Sequence, residues 1–102
     1  MRVKCWGEEY KVKVFADRYR HGNNYAVVLT EEDGAPFATI TVNLEGKKLP
    51  KGYAYVDVNN CPWAPDFIKE YKLGEPVGAS TQSWYCVYPL YLFDTKIIPE
   101  RR

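Results

Sequence analysis

The chain has 102 residues with a formal net charge of +1, of which 46% are hydrophobic and 26% charged. That length supports one small core, and the composition is that of a folded globular domain rather than a disordered segment. The near-neutral balance gives no bulk attraction for nucleic acid, and no apolar run approaches the ~20 residues of a membrane span. The opening stretch MRVKCWGEEYKVKV alternates apolar with charged side chains, unlike a signal peptide, so a cytoplasmic setting is expected. Residues 1–102 read as a single globular domain, with a core over about 2–94 and a tail over 95–102.

Period-two alternation runs through the first half. Val3 and Cys5 oppose Arg2 and Lys4; after Gly7-Glu8-Glu9, Tyr10, Val12, Val14 and Ala16 oppose Lys11, Lys13 and Asp17. This predicts a hairpin with one wetted face. Arg20 to Asn24 is a turn, Tyr25 to Thr30 a strand, and Asp33-Gly34-Ala35-Pro36 another turn. Phe37 to Leu44 then reads as one strand, with Ala38, Ile40, Val42 and Leu44 inward and Thr39, Thr41 and Asn43 outward. A polar loop carrying Lys47, Lys48 and Lys51 leads to a strand over Tyr53 to Val58. One of its faces is Ala54, Val56 and Val58; the other is Tyr53, Tyr55 and Asp57.

Pro62 and Pro65 shape the Asn59-Asn60-Cys61-Pro62-Trp63 corner. A turn over Asn60 to Trp63 is expected, then a helix from near Pro65 with Asp66 in its first turn. Trp63, Phe67 and Tyr71 recur at helical spacing, Ile68 widens that stripe, and Lys69, Glu70 and Lys72 face water. Gly74 is read as a left-handed stop. Glu75 to Ser83 is read as a loop and Trp84 to Phe93 as a strand apolar on both faces, although Pro89 argues for an edge or bulge. Ile97, Ile98 and the Arg101-Arg102 end are expected to fray. The predicted fold is α+β: a curved antiparallel sheet of five to six strands, beginning as a meander, with one short helix packed on a face.

Little in the chain assembles into catalytic chemistry. Its one histidine, His21, lies in a turn. Cys5, Cys61 and Cys86 have no paired metal-ligand spacing and read as free thiols. There is no glycine-rich phosphate loop, and the acidic pairs at Glu8-Glu9 and Glu31-Glu32-Asp33 sit in turns. No catalytic residue, cofactor or metal is assigned. The positive feature is aromatic content, at 16% of the chain, because Tyr and Trp favour contact surfaces. Trp6, Tyr19, Tyr25, Tyr53, Tyr55 and Tyr91 are the candidates for exposure. Tyr53, Tyr55, Asp57, Asn59, Asn60 and Trp63 form the candidate binding surface. The corner asparagines also suit a structural role, bonding local backbone and capping the helix. Arg2, Lys4, Lys11 and Lys13 form a basic stripe near Trp6 and Tyr19. That stripe suits nucleic acid or, more simply, protection of a sheet edge.

Phe37 to Leu44, Ala54 to Trp63, Phe67-Ile68, Leu73-Gly74 and Tyr88 to Tyr91, together with Val3 to Val14, resemble domain-of-unknown-function family 4313. The resemblance runs from about Val3 to Asp94. It implies small stand-alone proteins of Gram-positive gut bacteria, their phages and conjugative elements, and it transfers no activity. The expectation is a non-enzymatic binding protein, an accessory or counter-defence factor that contacts a host protein. The alternative is a small-ligand protein that holds a nucleotide signal at the corner, with nucleic acid less favoured. A homodimer through the aromatic face or a free sheet edge is compatible with the pattern.

Overall fold

The computed structural model describes residues 1–101. Among them the order is β1 (Arg2–Cys5), β2 (Glu8–Arg18), β3 (Tyr25–Glu31), β4 (Pro36–Thr39), β5 (Thr41–Val42), β6 (Tyr53–Val56), α1 (Ala64–Glu70), β7 (Gly74–Ser83) and β8 (Cys86–Phe93). The protein is mostly sheet with one short helix. In place of one curved sheet there are two antiparallel four-stranded sheets, ordered β1-β2-β3-β4 and β5-β6-β8-β7. Their inner faces and α1 enclose a shared core that includes Val14, Val27, Leu29, Ile40, Val56, Ile68 and Phe93.

Ile40 explains the division. Phe37 to Leu44 does not run as one strand: it bends at Ile40, whose side chain is fully buried. The Ile40 N–H donates to Val27 C=O in the first sheet (3.1 Å), and its C=O accepts from Asp57 N–H beside the second (2.8 Å). The bend breaks the alternation, so Thr41 is buried as well as Ile40. The Thr41 hydroxyl stays satisfied by accepting from Val27 N–H (3.2 Å) and pairing with Tyr19 Oη (2.8 Å).

The first hairpin closes through Trp6 and Gly7, both at positive φ (51° and 76°), the conformation a two-residue type I′ loop requires. The segment after the helix also differs from expectation. Lys72 (φ 55°), not Gly74, is the left-handed residue. Gly74 instead opens β7, because a Cβ there would lie 2.7 Å from Leu92 O. Glu75 to Ser83 is not a loop. It forms most of β7, an edge strand exposed on both faces and therefore without periodicity, held by its pairing with β8.

Pro89 is accommodated in central β8 by register. Phe93 N–H donates to Gly52 C=O, so odd-numbered β8 residues direct their peptide groups towards β6. Pro89 falls opposite Val56, one step past the last β6–β8 pair, and Val56 C=O accepts from Val58 N–H instead (3.0 Å). The C-terminal segment does not fray as expected. Ile98 is buried, Pro99 C=O accepts from Ala16 N–H, and Arg101 N–H donates to Ala16 C=O, each at 2.8 Å. Residues 99–101 thereby cover the part of β2 that β1 leaves open. Arg102 lies outside the described residues.

Replacing Thr41 with Val keeps the shape and removes both partners of its hydroxyl. It should cost about 1–3 kcal/mol in denaturant unfolding. Thr39→Val, at an exposed site, should stay within about 0.5 kcal/mol.

Candidate functional site

The corner that follows β6 is organised by Asp57. Its N–H reaches Ile40 C=O, and its C=O accepts from Cys61 N–H (2.8 Å). Its carboxylate accepts from Asn60 N–H (3.2 Å) and Asn60 Nδ2 (2.9 Å). Asp57 is only 6% exposed, so its carboxylate is committed to Asn60 and not presented to a ligand, whereas Asn60 lies at the surface with its Nδ2 engaged by Asp57. Neither asparagine caps the helix: the N-cap position is Trp63, without a side-chain cap bond, and Pro65 and Asp66 occupy the first turn. Asn24, at the end of the turn that begins at Arg20, has the same kind of task. Buried, it donates to Lys47 C=O and Asn43 Oδ1 and accepts from Leu49 N–H, fastening the loop between β5 and β6.

The six expected surface residues do not form one patch. Trp63 belongs to an aromatic row in which Tyr10, Phe37, Trp63, Phe67 and Tyr71 follow one another at centroid separations of 5.2, 6.1, 6.1 and 5.1 Å. That row joins the first sheet to α1, and Tyr71 Oη accepts from Arg2 N–H of β1 (2.7 Å). Tyr53 and Tyr55 lie elsewhere, opposite Leu92 and Leu90 of β8. Alternation places them with Val42, Tyr88, Leu90 and Leu92 on the outer face of the second sheet. Tyr55 is buried there among its neighbours, Tyr53 is half-buried and Leu92 is 40% exposed. Asn59 is exposed and joins this face beside Tyr88. The Tyr88 phenol is pushed up first by the Cys86 thiol beside it, then by burial and the Asp57 charge, while the Asn59 amide opposes the shift.

Of the aromatics expected at the surface, Trp6 is 74% exposed, whereas Tyr25 and Tyr91 are core residues. Tyr19 is half-buried, with its hydroxyl on Thr41. The most exposed aromatics are the first two residues of the expected Trp84 to Phe93 strand: Trp84 at 88% and Tyr85 at 96%. They form the two-residue loop between β7 and β8, with Trp84 at φ 58°. The available signal was that no charged side chain occurs from Pro76 to Phe93. Arg2, Lys4, Lys11 and Lys13 do share one face of the first hairpin, with Glu9 among them bonded to Arg2 (2.5 Å).

Two grooves lie away from the corner. One of about 1070 Å³ runs between α1 and the base of the β7–β8 hairpin, over Ile68, Tyr91 and Phe93, with Lys69, Lys72 and Lys96 among its lining residues. A smaller one, about 200 Å³, lies at the loop that Asn24 fastens. Neither is lined by Asn59 or Asn60.

Residues 13–101 match the family described as a domain of unknown function, DUF4313. The chain belongs to that family. No curated protein and no solved structure matches it. In this DUF4313 member no helix among the described residues is long and apolar enough to cross a membrane.

Cys61 makes the corner chemically quiet. Burial pushes its thiol up to about 11, with the Asp57 charge and Cys5 adding to the effect, and burial also raises Cys5. At pH 8 an alkylating reagent should modify half-buried Cys86 first and Cys61 at least ~100-fold more slowly than a free thiol, since the thiolate is the reactive form. Unfolding should abolish the difference. The raised groups bind protons more tightly in the folded state than in the unfolded one. Their contribution is therefore complete below the free-thiol range and is lost as pH rises through the folded values. The urea midpoint should fall above roughly pH 8.5, read by fluorescence at fixed ionic strength. Asn60→Ala should cost about 1–2 kcal/mol, measured by the same unfolding assay.

Proposed function

We propose that the protein is a non-enzymatic binding protein that contacts a partner protein through the outer face of β6 and β8. One observation carries this reading: the face is apolar and tyrosine-rich, and neither strand supplies a charged side chain. A solvated antiparallel face normally alternates core residues with charge, as β1 and β2 do with Arg2, Lys4, Lys11 and Lys13. Tyrosines supply rigid area and a hydrogen-bonding tip at low entropic cost, which suits recognition. Tyr53, Tyr88, Leu90 and Leu92 form the contact area, and Asn59 lies at its rim. Buried Tyr55 supports the face from within, and Asp57 and Asn60 hold the corner beside it.

The family resemblance suggests the setting: a phage or mobile element in the cytoplasm of a Gram-positive host, where a small protein of this kind acts as an accessory or counter-defence factor. Sequestration of a nucleotide at the corner has less support, because Asn60 is already bonded to Asp57. Nucleic-acid binding by the lysine stripe has less support too, because Glu9 neutralises part of it and the Tyr19 hydroxyl is engaged by Thr41.

Leu92→Lys tests the proposal, since Leu92 points to solvent and tolerates a lysine stem. A host protein captured in near-equal amount by the wild-type chain should be lost with Leu92→Lys or Tyr53→Lys and kept with Lys11→Glu. Capture of the same proteins by all variants would reject this face as the contact surface.

A further inference from the structure

We propose that two copies of the chain associate through the free edge of β7, antiparallel, about a two-fold axis at Thr81. This goes beyond the contact face on β6 and β8, which it leaves open.

The first support is what each sheet edge carries. Exposed edges invite pairing, and proteins blunt them with lysines, prolines, short strands or a covering segment. In the first sheet, β1 carries Arg2 and Lys4 and has its Arg2 N–H capped by Tyr71, and residues 99–101 cover the open part of β2. β4 begins with Pro36, and β5 has only two residues. β7 is longer, at 10 residues, and after Glu75 carries no charge. Pro76 and the irregularity before Ser80 break its first half, but Ser80 to Ser83 is a regular, unguarded stretch.

Register identifies the available groups. Ser80 and Gln82 pair with Pro89 and Val87 of β8. Those odd-numbered residues turn their peptide groups towards β6, so Ser80 and Gln82 turn theirs to the open side. Near a two-fold axis each side chain meets its own copy, and a charged edge would repel itself. An uncharged one does not.

Centring the axis on Thr81 sets Ser80 of each copy against Gln82 of the other, in two pairs that each exchange both backbone hydrogen bonds. Thr81 then faces Thr81, a favourable cross-strand pair. The regular register ends at Ser80. Beyond its two ends lie the exposed Trp84 and Tyr85 of one copy and, on the other, Val77, itself 41% exposed, and Gly78, where nothing occupies the space a side chain would take. At ~150–250 Å² for each aromatic, plus the strand and Val77, the buried area approaches the ~800 Å² per partner of a standard interface. The remaining edges are blunted, so pairing stops at two copies.

Sedimentation equilibrium of the full chain between 1 and about 200 μM, at a protomer mass of 11.8 kDa, tests the proposal. A dimer is expected whose dissociation constant rises at least ~10-fold in Thr81→Lys and in Trp84→Gly and is unmoved in Lys4→Glu; near-UV circular dichroism reports that each variant is folded. Amide exchange of the unmodified protein tests the register without substitution: Ser80 and Gln82 should be protected at high concentration and exchange fast on dilution. A chain that stays monomeric throughout would overturn the proposal, including one that accepts a foreign strand on β7. So would a dimer that leaves these two amides unprotected. Loss of the dimer with partner capture intact would separate this edge from the Tyr53 face.

Discussion

The two peptide groups of Ile40 face different sheets, and the rest of the molecule follows from that division. The N–H stays with β3, the C=O takes Asp57, and the buried side chain fills the core between them. A strand that serves two sheets must break its alternation where it changes over, and Thr41 supplies the hydroxyl that the resulting unpaired Val27 N–H requires. Asp57, brought to Ile40 by the end of β6, then folds the chain back through Asn60 and Cys61 into the helix. One polar relay thus runs from β3 through buried Ile40 and Asp57 to the helix entrance.

The two sheets meet solvent differently. The outer face of the first hairpin is set with Arg2, Lys4, Glu9, Lys11 and Lys13, and its edges are capped by Tyr71 and by residues 99–101. The second sheet presents tyrosine and leucine on its outer face, an unguarded edge at β7, and Trp84 and Tyr85 at the tip of its hairpin. Exposed apolar surface has a hydration cost that charged surface does not, and its concentration on one sheet is what a contact surface requires.

Much of this was legible because period-two alternation has a local cause. Val3, Cys5, Val12, Val14 and Ala16 are buried as their spacing requires, and the Trp63, Phe67, Tyr71 stripe packs as an aromatic row. The candidate site was legible only in part. Tyr53 lies on the outer face as alternation placed it, but the conspicuous corner residues proved to bond one another. Trp84 and Tyr85 were hidden inside an apolar run, because a run of that kind does not distinguish a buried strand from an exposed hairpin tip. β7 was hidden for the opposite reason: a strand exposed on both faces has no apolar face to repeat.

By itself the sequence determined the local choices: which segments of the first half extend, where the helix begins, which of their faces are apolar, and that no charge interrupts Pro76 to Phe93. Those follow from side-chain spacing and backbone stereochemistry within a few residues. Only the tertiary structure decided that one apparent strand divides at Ile40 into two sheets, that Asn60 is spent on Asp57, and that Ile98 is buried beside β2. Each of these depends on groups far apart along the chain meeting in space, and no local spacing encodes such a meeting.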